Sequence, residues 1–365
     1  MQEIPFSEYL RLPEADAGDR GGVAGPAICS SEYFTSREWF RLLADTCLGP
    51  GETAVVHRLH GGSGQVIDLP LRRAPLRGFG LRGYELHALA NFYSSYYAPP
   101  GLAEDPSSRR AIAEWASALG ARRRPPDRLV FRALDEADGT LGILESALRG
   151  AAFRVERFAD FGNWSLPCDG LAFGDYWQGR PGRLRSTVRR KLKALEREHA
   201  IAFRCFDRPQ EAEEALRCYE TVQAAAWQPP EPHKAFLPEL IRRGLGDGSL
   251  LVWILQADAR PIAAQIWSVA AGKATIFKLA YDSAWKHWSP GTLLIYRAIE
   301  CALDSGTFAL VDFGRGDDHY KSDWMTTRLQ RWGLAAYSKR TLFGLAIAAR
   351  NLGPKYIRGR PTGEL

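Results

Sequence analysis

Cysteine is scarce and unpatterned in this chain. Six occur in 365 residues (Cys29, Cys47, Cys168, Cys205, Cys218, Cys301), with no C-x-x-C pair and no zinc-type spacing. A disulfide scaffold is therefore excluded, and the thiols read as reduced, cytosolic and mostly core. The seven histidines are scattered and no H-E-x-x-H occurs, so no structural or catalytic metal is expected. No apolar run approaches the roughly 20 residues that cross a bilayer. Met1 to Gly22 lacks the basic start and apolar core of a secretory leader. The expectation is a cytoplasmic protein with no membrane span. A dinucleotide fingerprint is missing too: Gly244, Gly246 and Gly248 follow a helical pattern, not a strand.

What is present describes a globular chain, 45% hydrophobic and 25% charged, of a length that favours two domains over one. The net charge of +6 is unevenly spread. From Arg183 to His199 seven Lys/Arg stand against two Glu, while Leu184, Val188, Leu192 and Leu195 recur at helical spacing. This predicts an amphipathic helix with a basic outer face. Such a face is either simply solvated or a docking surface for the phosphates of a coenzyme, a nucleotide-linked substrate or tRNA. A DNA partner is not expected.

Residues 1–30 are rich in Gly, Pro and Asp and read as a loosely structured lead-in. Ser36 to Leu48 reads as a helix capped by Ser36. Strands follow at 52–60, 65–73 and 81–89, then a helix at 106–120, a strand at 127–134, a helix at 140–149 and a strand at 152–160. The second half opens near Phe173. It continues with the basic helix, a strand at 201–207 and a helix at 209–226 that Trp227-Gln228-Pro229-Pro230 must break. Next come a helix at 234–245 and strands at 249–257, 263–271 and 274–282 joined by short hairpin turns. A helix at 290–304, a strand at 308–313, a short helix at 318–324, a strand at 328–338 and an apolar helix at 341–350 complete the chain. The two halves share an order of elements, which suggests two related units over 31–168 and 169–345, with a tail at 346–365.

One stretch is built to receive an anion. Lys278-Leu279-Ala280-Tyr281-Asp282 ends a strand, and Trp288-Ser289-Pro290-Gly291-Thr292-Leu293 starts a helix. Ser289 suits an N-cap, and Pro290 suits the first helical position because it has no N–H to waste there. Gly291 lets a ligand approach the backbone. The free N–H groups and the helix dipole then favour a phosphate. The following strand ends in Val311-Asp312-Phe313-Gly314-Arg315-Gly316-Asp317-Asp318-His319-Tyr320-Lys321, a polar loop on the same side.

Taken in order, Arg189-Arg190-Lys191-Leu192, Ala264-Gln265-Ile266-Trp267, Lys278 to Asp282, Ser289 to Leu294, and Asp312 to Gly316 with Tyr320-Lys321 resemble the GNAT acyltransferase superfamily. The likeness over 170–345 is closest to the branch called CelD/BioF2-like acetyltransferases, related to the Fem aminoacyl-ligases. It implies an α/β fold with a mixed sheet, two GNAT-like units in tandem and the coenzyme site in the C-terminal one. The implied activity is an N-acyltransferase moving an acyl group from acyl-CoA to an amine of a small molecule, sugar or peptide. The alternatives are a Fem-type ligase using aminoacyl-tRNA and a non-catalytic CoA-binding module in polysaccharide or envelope assembly. The superfamily's usual pyrophosphate signature, Q/R-x-x-G-x-G/A, is met only at Gly291: Trp288 and Leu293 stand at its other positions.

On this reading Ser289, Gly291, Thr292 and Leu293 hold the coenzyme. Amine acylation needs a neutral amine, a donor for the oxyanion and a proton for the leaving thiolate. Asp282, at the strand end, is the expected general base or an ordinary turn residue, with His319 the alternative base. Tyr320 stands where superfamily members often carry the tyrosine that protonates the thiolate. Arg315 and Lys321 would meet an acceptor's anionic group, or pair with Asp317, Asp318 or Asp323. Lys278 and Tyr281 line the strand. Trp227 sits in a proline-rich flap. Tyr96, in the aromatic run Asn91 to Tyr97, would line a groove between units or form a core corner.

Overall fold

The computed structural model describes residues 1–12, 32–78 and 80–358. The chain forms two compact units. The first holds the N-terminal strand β1 (Gln2–Pro5) and short helix α1 (Phe6–Tyr9), then α2 (Arg37–Thr46), β2 (Thr53–His60), β3 (Val66–Gly78), β4 (Leu81–Ala88), α3 (Pro106–Ala121), β5 (Arg128–Leu134), α4 (Thr140–Gly150) and most of β6 (Phe153–Pro167). The second holds the end of β6, then α5 (Phe173–Gln178), α6 (Gly182–Glu198), β7 (Ile201–Phe206), α7 (Ala212–Ala225), α8 (Phe236–Asp247), β8 (Leu250–Ala257), β9 (Arg260–Ala270), β10 (Lys273–Tyr281), α9 (Pro290–Ser305), β11 (Leu310–Arg315) and α10 (Lys321–Trp324). Strand β12 (Thr327–Ser338) and helix α11 (Leu342–Arg358) return the chain to the first unit.

Both units repeat one motif. Three antiparallel strands lead into a crossover helix, and the helix returns the chain parallel to the third strand. In the first unit this is β2-β3-β4, α3, β5. In the second it is β8-β9-β10, α9, β11, with β7 added beside β8. A parallel partner requires such a crossover, because a tight turn can only reverse the strand. In each unit the returned strand then meets an antiparallel neighbour: β5 pairs with β12, and β11 pairs with residues 163–167 of β6.

This pairing corrects the expected boundaries. Residues 330–345 were expected in the C-terminal unit, but β12 is hydrogen-bonded to β5 and lies in the first unit. Nor is the whole lead-in loose: β1 pairs antiparallel with β2, and the rest of that segment lies largely outside the described residues. Helix α11 runs through much of the expected tail.

Local sequence accounts for the elements. In α2, Ser36 Oγ accepts from the Trp39 N–H while Trp39, Phe40, Leu42 and Leu43 face the core. Strand β9 is central, and Ala263, Ala264, Ile266 and Trp267 are all buried, as expected of a strand covered on both faces. The β8–β9 turn places Asp258 and Ala259 at positive φ, and the β9–β10 turn does the same with Ala271 and Gly272. Those are the two-residue turns whose twist suits a hairpin. Gly306, at φ +63°, ends α9 in the left-handed conformation that closes many helices. The second unit's core packs α6 and α9 (Leu184, Val188, Leu195, Leu293, Leu294, Ala298) onto Trp253, Trp267, Ile276 and Phe313 of the sheet.

Candidate active site

Strand β10 departs from regular geometry. Along β9 it carries a bulge between Ile276 and Lys278. The extra residue flips the alternation: Ala274 and Ile276 join the α9-side core before it, Leu279 and Tyr281 after it. Along β11 it pairs only at Lys273↔Leu310, Ala274↔Val311 and Thr275↔Asp312. Yet β10 runs on to Tyr281 and β11 to Arg315, so the two strands lose their ladder beyond these pairs. Backbone groups there need other partners. The carboxyl ends of parallel strands are also where α/β sheets take ligands.

Helix α9 starts just past this gap, and its first turn differs from the expectation in three ways. The Ser289 side chain caps nothing, and Ser289 itself sits in the left-handed region at φ +54°. The Leu293 N–H already donates to the Ser289 carbonyl, at 3.2 Å. That leaves the N–H groups of Gly291 and Thr292 as first-turn donors without an intrahelical partner. Gly291 is buried, and a Cβ there would lie 3.5 Å from Tyr281 Cδ1 and 3.6 Å from Leu279 Cδ1. Those are ordinary van der Waals distances, so the packing against β10 would admit a Cβ.

Asp282 is 3% exposed and structural in its contacts. One carboxylate oxygen accepts from the Ala284 N–H at 2.9 Å and caps the turn Ser283–Trp288; the other accepts from Arg260 at 2.6 Å. Each oxygen thus already accepts one hydrogen bond within the fold. Lys278 pairs with Glu231 at 2.6 Å. Beside that pair, Gln228 Nε2 donates to the Leu279 carbonyl at 3.0 Å. The proline-rich segment is thus laid along the end of β10, with Trp227 68% exposed at its start.

The loop after β11 is held from within. Asp312 Oδ1 accepts from Asn163 Nδ2 and from the Gly314 N–H, both at 2.6 Å, and Oδ2 lies 3.1 Å from Lys273 Nζ. Gly314 needs its φ of +61° to turn back onto that carboxylate. Lys321, 4% exposed, donates to the carbonyls of Phe313, Arg315 and Gly316 at 3.1, 2.7 and 3.2 Å. Burial pulls its pKa below the usual lysine range, against the opposing charges of Asp318 and Asp312. The ammonium expected to meet an acceptor therefore clamps the loop instead. Asp317 is fixed by Trp164 at 2.7 Å and Arg328 at 2.6 Å.

On this clamped loop stand Arg315, His319 and Tyr320. His319 is exposed. The Tyr320 ring meets Phe313 edge-on, centroids 5.7 Å apart, and stays 42% exposed. Lost solvation, and then the charge of Asp318, push its hydroxyl up to about 12. Tyr320 therefore carries a proton at neutral pH. Tyr96 lies in the first unit, its hydroxyl donating to Asp138. The neighbouring Tyr93 and Tyr97 are buried, while Phe92 of the same run is 48% exposed.

Helix α6 carries its basic residues outward. Arg183, Arg185, Arg189, Arg190, Lys193 and Arg197 are exposed, while Leu184, Val188 and Leu195 are buried. Lys191 reaches across to donate to the His287 carbonyl, tying this helix to the turn before α9. The corresponding helix of the first unit, α3, starts differently. Asp105 accepts there from the N–H and hydroxyl of Ser108, both at 2.9 Å, so a carboxylate already fills that first turn. Among the described residues no group of three or more His, Cys, Asp or Glu could hold a metal ion.

Sequence reading missed Asn163, Lys273 and Arg260, the partners of Asp312 and Asp282.

Residues 182–322 match the family model of the acetyltransferase (GNAT) domain. No curated protein matches the chain by sequence. Among solved structures, FemX is similar over 88% of this chain and 96% of its own, at 11% identity and a TM-score of 0.58. The tandem GNAT protein from the clavulanic acid biosynthesis pathway covers 86% of this chain and 98% of its own, at 14% identity and a TM-score of 0.45. The C-terminal domain of a putative lysylphosphatidylglycerol synthetase from Agrobacterium fabrum covers 81% and 88%, at 13% and 0.48. The second unit thus carries a GNAT acetyltransferase domain, the acyltransferase class of transferase. The chain as a whole shares its fold with FemX.

Proposed function

We propose that the chain is an N-acyltransferase of the CelD/BioF2-like kind that takes an acyl-CoA at the start of α9 and transfers the acyl group to an amine. The observation that carries this is the early parting of β10 from β11 beside a helix start with no side-chain cap. A thioester lying along the open edge of β10 would find backbone partners there, and its phosphates would meet the Gly291 and Thr292 N–H groups. The first unit has no equivalent, because Asp105 repels an anion from α3.

In the reaction the neutral amine attacks the thioester carbonyl, a C–N bond forms and the C–S bond breaks. Tyr320 gives its proton to the leaving sulfur, a role suited to a hydroxyl that holds its proton at neutral pH. The amine's proton passes to His319 or to water. His319 is preferred over Asp282 as base because one Asp282 oxygen caps the turn and the other is ion-paired with Arg260. The acceptor is a small-molecule, sugar or peptide amine.

The test is calorimetric titration of CoA and turnover in two variants. Thr292→Pro removes one phosphate-facing N–H that makes no intrahelical hydrogen bond. It should weaken CoA at least tenfold, the worth of a charge-assisted hydrogen bond. Tyr320→Phe should lower turnover and leave CoA affinity unchanged. Unaltered CoA affinity in a folded Thr292→Pro protein defeats the assignment.

A second reading, a Fem-type ligase fed by aminoacyl-tRNA, is favoured by one observation. The exposed cations of α6 sit beside the turn that leads into α9. Measurable tRNA affinity would support it.

A further inference from the structure

We propose that α11 is an interfacial helix that docks the protein onto an anionic phospholipid surface. The helix is apolar on two sides. Phe343, Ile347 and Ala348 are buried in a small core with Tyr337. Leu342 and Leu345, one turn apart, face outward instead, 76% and 48% exposed. Leu342 is the most exposed large apolar residue among those described. Ala349 and Arg350 extend the same outward side, and Lys339 and Arg340 are exposed just ahead of the helix. A surface helix ordinarily turns only polar groups to water, so a second apolar stripe calls for a cover.

Charge identifies the cover. From Lys339 to Arg358 the chain has Lys339, Arg340, Arg350, Lys355 and Arg358 and no acidic residue. Leucines flanked by cations match a bilayer surface, where the apolar side chains sink to the acyl boundary and the cations meet headgroup phosphates. A second copy of this chain fits poorly, because it would bring an equally basic helix against this one. The helix lies on the surface and does not cross it: among the described residues no helix is long and apolar enough to span a membrane.

The experiment is co-sedimentation of the full chain with vesicles of phosphatidylcholine alone or with phosphatidylglycerol added, at moderate salt. Wild type should bind the phosphatidylglycerol vesicles and not the neutral ones. Leu342→Glu with Leu345→Glu should reduce binding at least tenfold, with an unchanged unfolding temperature because both sites are exposed. Leu345→Trp should strengthen binding, which guards against a variant that merely misfolds. Equal binding to both vesicles, or no binding by wild type, overturns the proposal. So does binding that survives the double glutamate variant and is lost in Arg189→Glu/Arg190→Glu, which would place the contact on α6. A wild-type dimer that the double glutamate variant dissociates overturns it in favour of a second copy.

Discussion

Replacing Asp312 by Asn should loosen the second unit at the point where β10 and β11 part. The aspartate is 2% exposed and takes donors from Asn163, Gly314 and Lys273. Asn keeps one acceptor oxygen, enough for both Asn163 and Gly314, and presents an NH2 to the Lys273 ammonium that lay 3.1 Å from the carboxylate. Breaking a buried ion pair costs about 3–5 kcal/mol. Lys273 retains Glu32 at 3.1 Å, which brings the expected loss to the lower end, about 3 kcal/mol. Against a usual domain stability of about 5–15 kcal/mol, that is a large fraction. Urea unfolding followed by tryptophan fluorescence should show a lower midpoint with an unchanged slope. A cycle with Lys273→Met should return a coupling above about 1.5 kcal/mol, well clear of the ~0.5 kcal/mol scatter of independent sites. A loss under about 1 kcal/mol, or a coupling within that scatter, would refute the reasoning.

Other outcomes follow from the same contacts. Glu3 in β1 has its pKa lowered to about 2, first by its hydrogen bond to His57 and also by Arg122. A lowered carboxylate stabilises the fold fully above the ordinary value of 4.5, and this is lost as pH falls from there toward about 2. The full drop would be worth about 3.4 kcal/mol; with the carboxylate one-third exposed, about 1–2 kcal/mol is expected. Glu3→Gln should abolish that part of the acid dependence of the melting temperature, and a parallel profile would show that the pair contributes nothing. If α6 meets phosphates, Arg189→Glu with Arg190→Glu should weaken substrate binding and flatten its salt dependence. Unchanged binding at low and high salt would leave the helix a solvated face.

Much of the fold was legible because it rests on local rules. The period of Leu184, Val188, Leu192 and Leu195 announces α6, the apolar runs at 249–257 and 263–271 announce β8 and β9, and Pro290 and Gly306 bracket α9. The start of α9 at Pro290 was legible for the same reason: a helix start is written in consecutive residues. Side-chain roles were less so. Asp282 and Lys321 carry the residue types of a base and an anion contact, but their partners come from elsewhere in the chain. Arg260 lies 22 residues from Asp282, and the Lys321 acceptors are backbone carbonyls that only a folded loop presents.

The sequence by itself determined most of the helices and strands, β1 and α1 excepted, where most turns fall, and that one helix begins without an acidic cap. Tertiary structure alone decided that β12 pairs with β5 and β11 with β6, because antiparallel partners so distant in the chain are chosen by packing of the whole sheet. It also decided the bulge at Ile276/Lys278, one extra residue that strict alternation does not reveal and that turns Leu279 and Tyr281 toward α9. The parting of β10 from β11 belongs there too, since a gap between strands is a property of two backbones, and no run of residues spells it out.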